Sequence, residues 1–225
     1  MNGTNFFTEK FNRLSAEEIE NYHKTVFLEM DGNFVMQTRL EYYGDKLKFL
    51  GKDVTIGRRV TFRNPEFISI GDKVTIGDGC VLIAAGPGGI TLDEGATLKY
   101  GVYLDSESKD EGYIHIGKEV YIGTGCCLHG HKGLEIGDHS LLAQNITITP
   151  YSHEYRDRSK IIHAQGGHSR KVTIGRDCYL GMEVCVLYSA DIGEGSVIGA
   201  GSTVVKSIPP FSVAVGTPAR VIKER

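Results

Sequence analysis

The feature that most constrains this chain is an aliphatic residue at every sixth position, without interruption, from position 174 to position 204. A helix repeats every 3.6 residues and a strand every two, so neither element alone produces this spacing. A six-residue period is typical of a parallel β-helix, in which short strands stack into flat sheets and each coil covers the next. The repeat positions are Ile174, Leu180, Val186, Ile192, Ile198 and Val204.

The positions around each repeat residue carry small side chains. The residue that follows is usually glycine, as at Gly175, Gly181, Gly193 and Gly199. We expect glycine there because the corner between two strands requires backbone angles that a β-carbon would hinder. The residue four positions after the repeat is compact, and three of the five cysteines occupy this place: Cys80, Cys126 and Cys178. We predict that these thiols are buried apolar groups rather than disulfide partners or metal ligands.

Weaker copies of the repeat begin at Ile56, which predicts a coil over residues 51–205. One large insertion separates Ile148 from Ile174, and its residues 149–171 are polar, charged and rich in histidine. Because such residues gain little from burial, we expect a loop that projects from the side of the coil. We expect the tail, residues 206–225, to leave the coil at the Pro-Pro pair.

Residues 1–50 lack the repeat, and we expect them to form a helical cap over the exposed end of the coil. Ser15 to Glu18 fits a capping box and is followed by apolar residues at helical spacing, which predicts a helix over 16–29. A second apolar set predicts another helix that covers the first coil; its members are Leu40, Tyr43, Leu47 and Leu50. The predicted fold class is therefore all-β, with a helical N-terminal cap.

Composition narrows the classes of function. The net charge of −3 gives no indication of nucleic-acid binding, and no run of about 18 apolar residues could span a membrane. The N-terminus lacks the charged start and apolar run of a secretory signal. We expect a soluble cytoplasmic protein.

Histidines are the candidate catalytic groups. His153 lies in the large insertion, and Glu154 is the anionic residue nearest to it in sequence. An imidazole on a loop beside a cleft can take a proton from a hydroxyl or amine, although a solvated surface histidine would fit the same position. His129 and His131 could bind zinc together with His153, contact a substrate, or donate hydrogen bonds to carbonyls at a corner.

Two further groups of residues could bind an acyl donor. The backbone N–H groups at Met182 and Ala200, each after a corner glycine, could hold a carbonyl oxygen as it becomes an oxyanion. Basic residues of the tail could bind phosphate groups or could be solvated: Lys206, Arg220, Lys223 and Arg225.

Taken together, the hexads, the sequence SHEY in the insertion and the segment IGEGSVIGAGSTVVKSIPPFSVAVGTPARVIK resemble the hexapeptide-repeat acetyltransferases. The resemblance is to the branch that O-acetylates sugars, and it covers residues 54–225. It implies a left-handed β-helix and a homotrimer with active sites between subunits. It also implies acetyl-coenzyme A as co-substrate, no metal, and a glycan or other small-molecule acceptor.

The same resemblance assigns roles to individual residues. It implies that His153 is the general base and that His131, Glu154 and Tyr155 contact the acceptor. The positions matching the family's coenzyme A contacts are Gly181, Met182, Ala200, Val205, Lys206, Arg220 and Lys223.

Three alternatives remain open from the sequence. The acceptor could be a sugar amine, since a neutral amine is already nucleophilic. A γ-carbonic-anhydrase-like enzyme would use His129, His131 and His153 as zinc ligands. A non-catalytic β-helix that serves in assembly would bind no coenzyme A.

Overall fold

The six-residue repeat folds into short parallel strands that stack coil upon coil, in a computed structural model that describes residues 15–188 and 190–225. Most coils contribute one strand to each of three sheets, which we call sheets A, B and C, and the coil of Ile192 contributes only a parallel bridge at the sheet A position. The repeat positions point inward, and from Ile56 to Val204 all of them are buried except Phe62, which is partly buried. Each buried aliphatic side chain contributes roughly 1.5–3 kcal/mol to folding. The predicted parallel β-helix is confirmed.

The strands of the three sheets have the following bounds. Sheet A contains β1 (Phe49–Leu50), β4 (Ile68–Ile70), β7 (Ile90–Leu92), β10 (Ile114–Ile116), β13 (Leu134–Ile136) and β18 (Val172–Ile174). Sheet B contains β2 (Thr55–Ile56), β5 (Thr75–Ile76), β8 (Thr97–Leu98), β11 (Tyr121–Ile122), β14 (Leu141–Leu142), β19 (Tyr179–Leu180), β21 (Val197–Ile198), β23 (Ser212–Val215) and β24 (Arg220–Glu224). Sheet C contains β3 (Thr61–Arg63), β6 (Val81–Ile83), β9 (Tyr103–Asp105), β12 (Cys127–His129), β15 (Thr147–Thr149), β20 (Cys185–Leu187) and β22 (Thr203–Val204).

Corner glycines follow the repeat for a reason that differs from the expected one. Gly175 and Gly181 do not have positive φ angles, but a β-carbon on Gly175 would lie 2.5 Å from the backbone nitrogen of Glu194 in the next coil. The positive φ angles fall two residues later, for example at Asp177 (φ 53°). The expectation about backbone angles was therefore wrong, and it is the close approach of successive coils that requires glycine.

Two helices precede the coil, and the second of them packs against its first strand in sheet B. Helix α1 (Ala16–Glu29) begins with the predicted capping box, because the Ser15 N–H donates to Glu18 Oε2 at 2.9 Å and the Glu18 N–H donates to Ser15 Oγ at 3.3 Å. Helix α2 (Asn33–Gly44) ends before Leu47 and Leu50, so the second apolar set does not form a single helix. The first 14 residues of the predicted cap lie outside the described residues.

Helix α2 is held to the coil by buried polar contacts. Arg39 Nη1 donates to the carbonyl of Ile56 at 2.7 Å, and the Tyr43 hydroxyl donates to the carbonyl of Val60 at 3.1 Å. These bonds satisfy carbonyl groups that have no preceding coil to pair with. Within the described part of the chain, no helix has the length and apolar character needed to cross a bilayer.

The coil extends beyond its predicted end at Val205. Ile208 forms a parallel bridge with Ile192, and β23 pairs in parallel with β21 before β24 folds back antiparallel to β23. Pro209 and Pro210 fall between Ile208 and β23, at a corner where the backbone N–H is not needed for the ladder. The first half of the tail, through β23, is thus part of the coil, and β24 pairs with it as an antiparallel strand.

Candidate functional site

The large insertion forms a small hairpin at the edge between sheets C and A. The chain leaves sheet C after β15, forms β16 (Tyr151–His153), a short 3₁₀ helix (Ile162–Gln165) and β17 (Gly167–Ser169), and then enters β18 of sheet A. Strands β16 and β17 pair antiparallel, with His153 opposite Gly167. None of residues 151–170 is buried, so the hairpin projects from the coil as the polar composition predicts.

His153 ends strand β16 and its side chain is exposed. Its ring packs edge-on against Tyr151, with ring centroids 4.9 Å apart. The Glu154 carboxylate contacts His168, with Oε1 and Nδ1 2.9 Å apart. Tyr155 is 65% exposed.

The rings of Tyr151 and His131 stack, with centroids 4.7 Å apart and planes 19° from parallel. Tyr151 thus lies between His131 and His153 and brings the predicted base and one predicted acceptor contact into one row of rings. This ring row continues over sheet C, with centroids 6.1 Å apart from His131 to His129 and 5.9 Å apart from His129 to Tyr103.

His131 is held in an environment that favours its neutral form. Burial lowers the pKa of its imidazole, and the opposing effect of Glu107, whose Oε2 lies 4.0 Å from Nε2, is smaller. Its Nδ1 atom is buried and has no hydrogen-bond partner in the part of the chain that the structure describes. An unsatisfied buried nitrogen costs about 1–3 kcal/mol, so a ligand group that forms a hydrogen bond with Nδ1 would stabilise this ring.

The residues predicted to contact the acetyl group lie at the opposite edge of sheet C. Gly181 and Met182 connect β19 of sheet B to β20 of sheet C, and Ala200 occupies the equivalent corner one coil later. A β-carbon on Gly181 would lie 2.6 Å from the backbone nitrogen of Ala200, so the two corners are in close contact. The Met182 side chain is 53% exposed.

Two of the predicted phosphate ligands line one cleft. Lys206 and Arg220 border a cavity of about 310 Å³, and Val205 immediately precedes Lys206 at the same turn of the chain. Arg220 Nη1 donates to the carbonyl of Ala219 at 2.9 Å, and its side chain is exposed. Lys223 does not line this cleft; it lies on β24 opposite Val213.

The order of the strands places His153 and Met182 at opposite edges of sheet C in one chain. Strands of sheet C begin at the corner that carries Met182 and Ala200, and β15 ends at the corner from which the hairpin projects. The structure of one chain therefore brings His131 and His153 together, and separately Met182 and Ala200, but sheet C lies between the two groups.

The sequence did not identify Glu107 or Tyr151. Glu107 accepts a hydrogen bond at Oε1 from His129 Nδ1, 2.7 Å away. The contact arises because strands β9 and β12 pair with Asp105 beside His129. This pairing places the residues that follow β9 next to residues 129–131. Counting hexads across residues 106–113, which lie between β9 and β10, would have placed these segments side by side.

No group of three or more His, Cys, Asp or Glu side chains has the geometry of a metal site within residues 15–188 and 190–225. A groove of about 700 Å³ lies between α2 and the first coil, and none of the predicted site residues lines it.

Two family models match the chain. Residues 171–206 match the bacterial transferase hexapeptide (six repeats), and residues 67–106 and 113–150 match the hexapeptide repeat of succinyl-transferase. The matched segments lie within the coil and stop on either side of the hairpin.

Curated relatives include the galactoside O-acetyltransferase of Escherichia coli K12, which is 36% identical over 138 residues, 60% of this chain and 63% of the relative. The probable acetyltransferase Rv3034c of Mycobacterium tuberculosis is 34% identical over 172 residues, 74% of this chain and 55% of the relative. The matched regions thus span less than two thirds of these relatives' own length.

Among solved structures, a mutant of AntD, an N-acyltransferase from Bacillus cereus in complex with dTDP and coenzyme A, superposes with a TM-score of 0.59. It is 24% identical, and the match covers 84% of this chain and 89% of that one. The likeness shows the same β-helical fold.

Proposed function

We propose that this chain, which belongs to the hexapeptide-repeat transferase family, transfers an acetyl group from acetyl-coenzyme A to a sugar hydroxyl. The observation that carries the proposal is the exposed imidazole of His153 at the end of β16, in a row with Tyr151 and the partly buried His131. A related enzyme, 36% identical over 138 residues, is named as an O-acetyltransferase of galactosides.

The proposed reaction is a direct transfer with both substrates bound. His153 accepts the proton of an acceptor hydroxyl as the oxygen attacks the thioester carbonyl carbon, and a backbone N–H near Met182 stabilises the oxyanion. The carbon–sulfur bond then breaks, and the coenzyme A thiolate takes the proton from the imidazolium. A positioned base contributes on the order of 10² to 10⁴ in rate.

Acetyl-coenzyme A supplies the acyl group, and we propose that its phosphates lie near Lys206 and Arg220. The cleft that Lys206 and Arg220 line is open to solvent, and among the described residues neither side chain forms an ion pair with a carboxylate. Lys and Arg side chains bind phosphate oxygens through charge-assisted hydrogen bonds. Lys223, on the same strand β24 as Arg220, adds a third positive charge to this end of the coil.

We propose that the site is completed by a second copy in a homotrimer. His153 and the corner of Met182 and Ala200 lie on different edges of one chain, so a thioester can contact both only if neighbouring copies align them. Three consecutive outward positions of sheet B are apolar and exposed: Tyr121 (36%), Leu141 (48%) and Tyr179 (47%). Packing of this apolar stripe between copies would leave sheet C facing the crevice between them.

An acceptor screen tests the proposed reaction. The purified chain is mixed with acetyl-coenzyme A and, in separate reactions, a galactoside, a free hexose, a nucleotide sugar and an amino sugar, and free thiol is measured over time. We expect thiol release that depends on a hydroxyl-only acceptor, with a product that is an acetyl ester by NMR. Transfer to the amino sugar alone would assign the activity to amine acylation, and no acceptor-dependent release would reject acetyl transfer.

A further inference from the structure

Three side chains on the outer surface of sheet C form a connected set that the acetyl-transfer proposal does not use. Cys127 Sγ lies 3.3 Å from His129 Nε2, and His129 Nδ1 lies 2.7 Å from Glu107 Oε1. A thiol within reach of an imidazole that is itself oriented by a carboxylate is the arrangement of an activated nucleophile.

Two of these groups lie on strand β12, and Glu107 lies in the loop that follows the adjacent strand β9. Cys127 and His129 are two residues apart on β12, so their side chains point to the same outer face of the sheet. Glu107 belongs to the coil next to β12, and its backbone is held in place because its N–H donates to Asp105 Oδ1 at 2.8 Å. Asp105 in turn accepts a hydrogen bond from the Tyr103 hydroxyl at 2.8 Å.

Hydrogen bonding defines which imidazole nitrogen can act as a base. A carboxylate accepts, so Glu107 fixes the proton of His129 on Nδ1 and leaves the lone pair of Nε2 directed at the thiol. Burial, assisted by the charges of Glu107 and Asp105, raises the pKa of the Cys127 thiol. The thiol therefore keeps its proton near neutral pH, and attack by sulfur requires a base such as His129 to remove it.

We propose that Cys127 is a nucleophilic thiol that accepts an acyl group from small acyl thioesters, with His129 as its base and Glu107 as the positioning residue. Sulfur of Cys127 bonds to the acyl carbon while its proton moves to His129 Nε2. The carbon–sulfur bond of the donor breaks, and the departing thiolate takes the proton from the imidazolium. The products are S-acyl-Cys127 and a free thiol, and no further reactant is needed. This activity does not depend on the function proposed for His153.

The chain provides a matched control in Cys185. It lies on β20 of the same sheet, and Thr147 of β15 is the register partner of both cysteines. Both thiols are partly buried, and burial raises the pKa of each. Among the described residues, no imidazole forms a hydrogen bond with Cys185. The two thiols thus differ chiefly in the presence of His129 and Glu107.

The experiment measures acetylation of both thiols in the same sample of the full chain. The protein is incubated with acetyl-coenzyme A or with a truncated acetyl thioester that lacks the nucleotide, quenched in acid, digested with pepsin and analysed by mass spectrometry. We expect Cys127 to be acetylated at least about 100-fold faster than Cys185 by either donor. Equal rates at the two thiols would overturn the proposal.

Variants separate the chemical roles from folding. His129→Gln is expected to lower the Cys127 rate about 100-fold and leave the Cys185 rate unchanged, which also shows that the coil is intact. Glu107→Gln is expected to lower the maximal acetylation rate without changing the donor concentration for half-saturation. An unchanged Cys127 rate in His129→Gln contradicts the proposal. His153→Ala should retain Cys127 acetylation even where transfer to an acceptor is lost, so failure of one proposal is distinguishable from failure of the other.

Discussion

At the scale of single residues, the spacing between coils decides where glycine is required. A β-carbon on Gly175 would lie 2.5 Å from a backbone nitrogen of the next coil, whereas one on Gly201 would meet nothing within 4 Å. Gly201 instead has a positive φ angle of 68°, and the chain itself places Asn145 and Asp177 in this conformation at the equivalent step of other coils. The two classes of glycine therefore differ in what can replace them.

We predict that Gly175→Ala destabilises the coil by about 2–3 kcal/mol or more, because neither backbone can move without breaking the ladder. Gly201→Asn should cost less than about 1 kcal/mol, since asparagine tolerates the left-handed conformation. The free energy of unfolding in guanidinium chloride checks both values. Equal costs for the two variants would contradict the distinction.

The two fully buried thiols in the first half of the coil make stability depend on alkaline pH. Burial raises the pKa of Cys80 and Cys126 to about 11 each, from an ordinary value of 9.0. Above pH 9 the unfolded chain loses these protons while the folded chain keeps them, so rising pH favours unfolding. Their contribution is fully present below pH 9 and is lost as pH approaches 11.

We therefore predict that the free energy of unfolding falls between pH 9 and pH 11, by up to roughly 3 kcal/mol for each thiol. The comparison is with the variant Cys80→Ala/Cys126→Ala, measured under reducing conditions over the same range. The variant should show a shallower decrease. Identical slopes for the two proteins would show that these thiols ionise equally in both states.

At the scale of elements, the hairpin is separable from the coil. The Arg170 N–H donates to the carbonyl of Pro150 at 3.1 Å, so the hairpin's ends are already joined, and none of residues 151–169 is buried. The hairpin carries His153 but contributes little apolar burial.

We predict that replacing residues 151–169 with a short Gly-Ser turn changes the melting temperature by less than about 4 °C and preserves acetyl-coenzyme A binding. Acetyl transfer to an acceptor should be lost, because the base is removed with the hairpin. Thermal unfolding and coenzyme A titration are the measurements. A large loss of stability would show that the hairpin supports the coil.

Features that depend on residues close together in the sequence were predicted, whereas contacts between different coils were not. The burial of the repeat positions and the capping box at Ser15 both follow from short patterns in the sequence, and both were predicted. The contact of Glu107 with His129 was not predicted, because it requires the hexads to be counted across the insertion that follows β9. The stacking of Tyr151 on His131 was also missed, since the antiparallel pairing of β16 with β17 sets the direction in which the hairpin projects.

The predicted end of the coil at Val205 shows a different difficulty. Prolines normally interrupt a sheet, but here Pro209 and Pro210 occupy a corner in which no ladder donor is needed. The roles assigned to His153, Met182 and the basic tail residues come from family resemblance and remain predictions.

At the scale of the whole molecule, the apolar stripe of Tyr121, Leu141 and Tyr179 predicts self-association. We expect light scattering to give three times the mass of one chain, and Leu141→Arg to reduce this mass and acetyl transfer together, because a charge would be buried at the interface. Thr91→Arg, on the outer surface of sheet A, is the matched control and should remain a trimer. A single chain as the wild-type species would contradict the shared active site.

The most direct test of acetyl transfer compares His153→Ala with His163→Ala. Both histidines are exposed and lie in the same projecting segment, but only His153 belongs to the ring row over sheet C. The measurement is turnover with the best acceptor, together with the dissociation constant for acetyl-coenzyme A. We predict that His153→Ala lowers turnover by about 10² to 10⁴ with the dissociation constant unchanged, while His163→Ala retains activity. Equal turnover in the two variants would contradict a base at position 153.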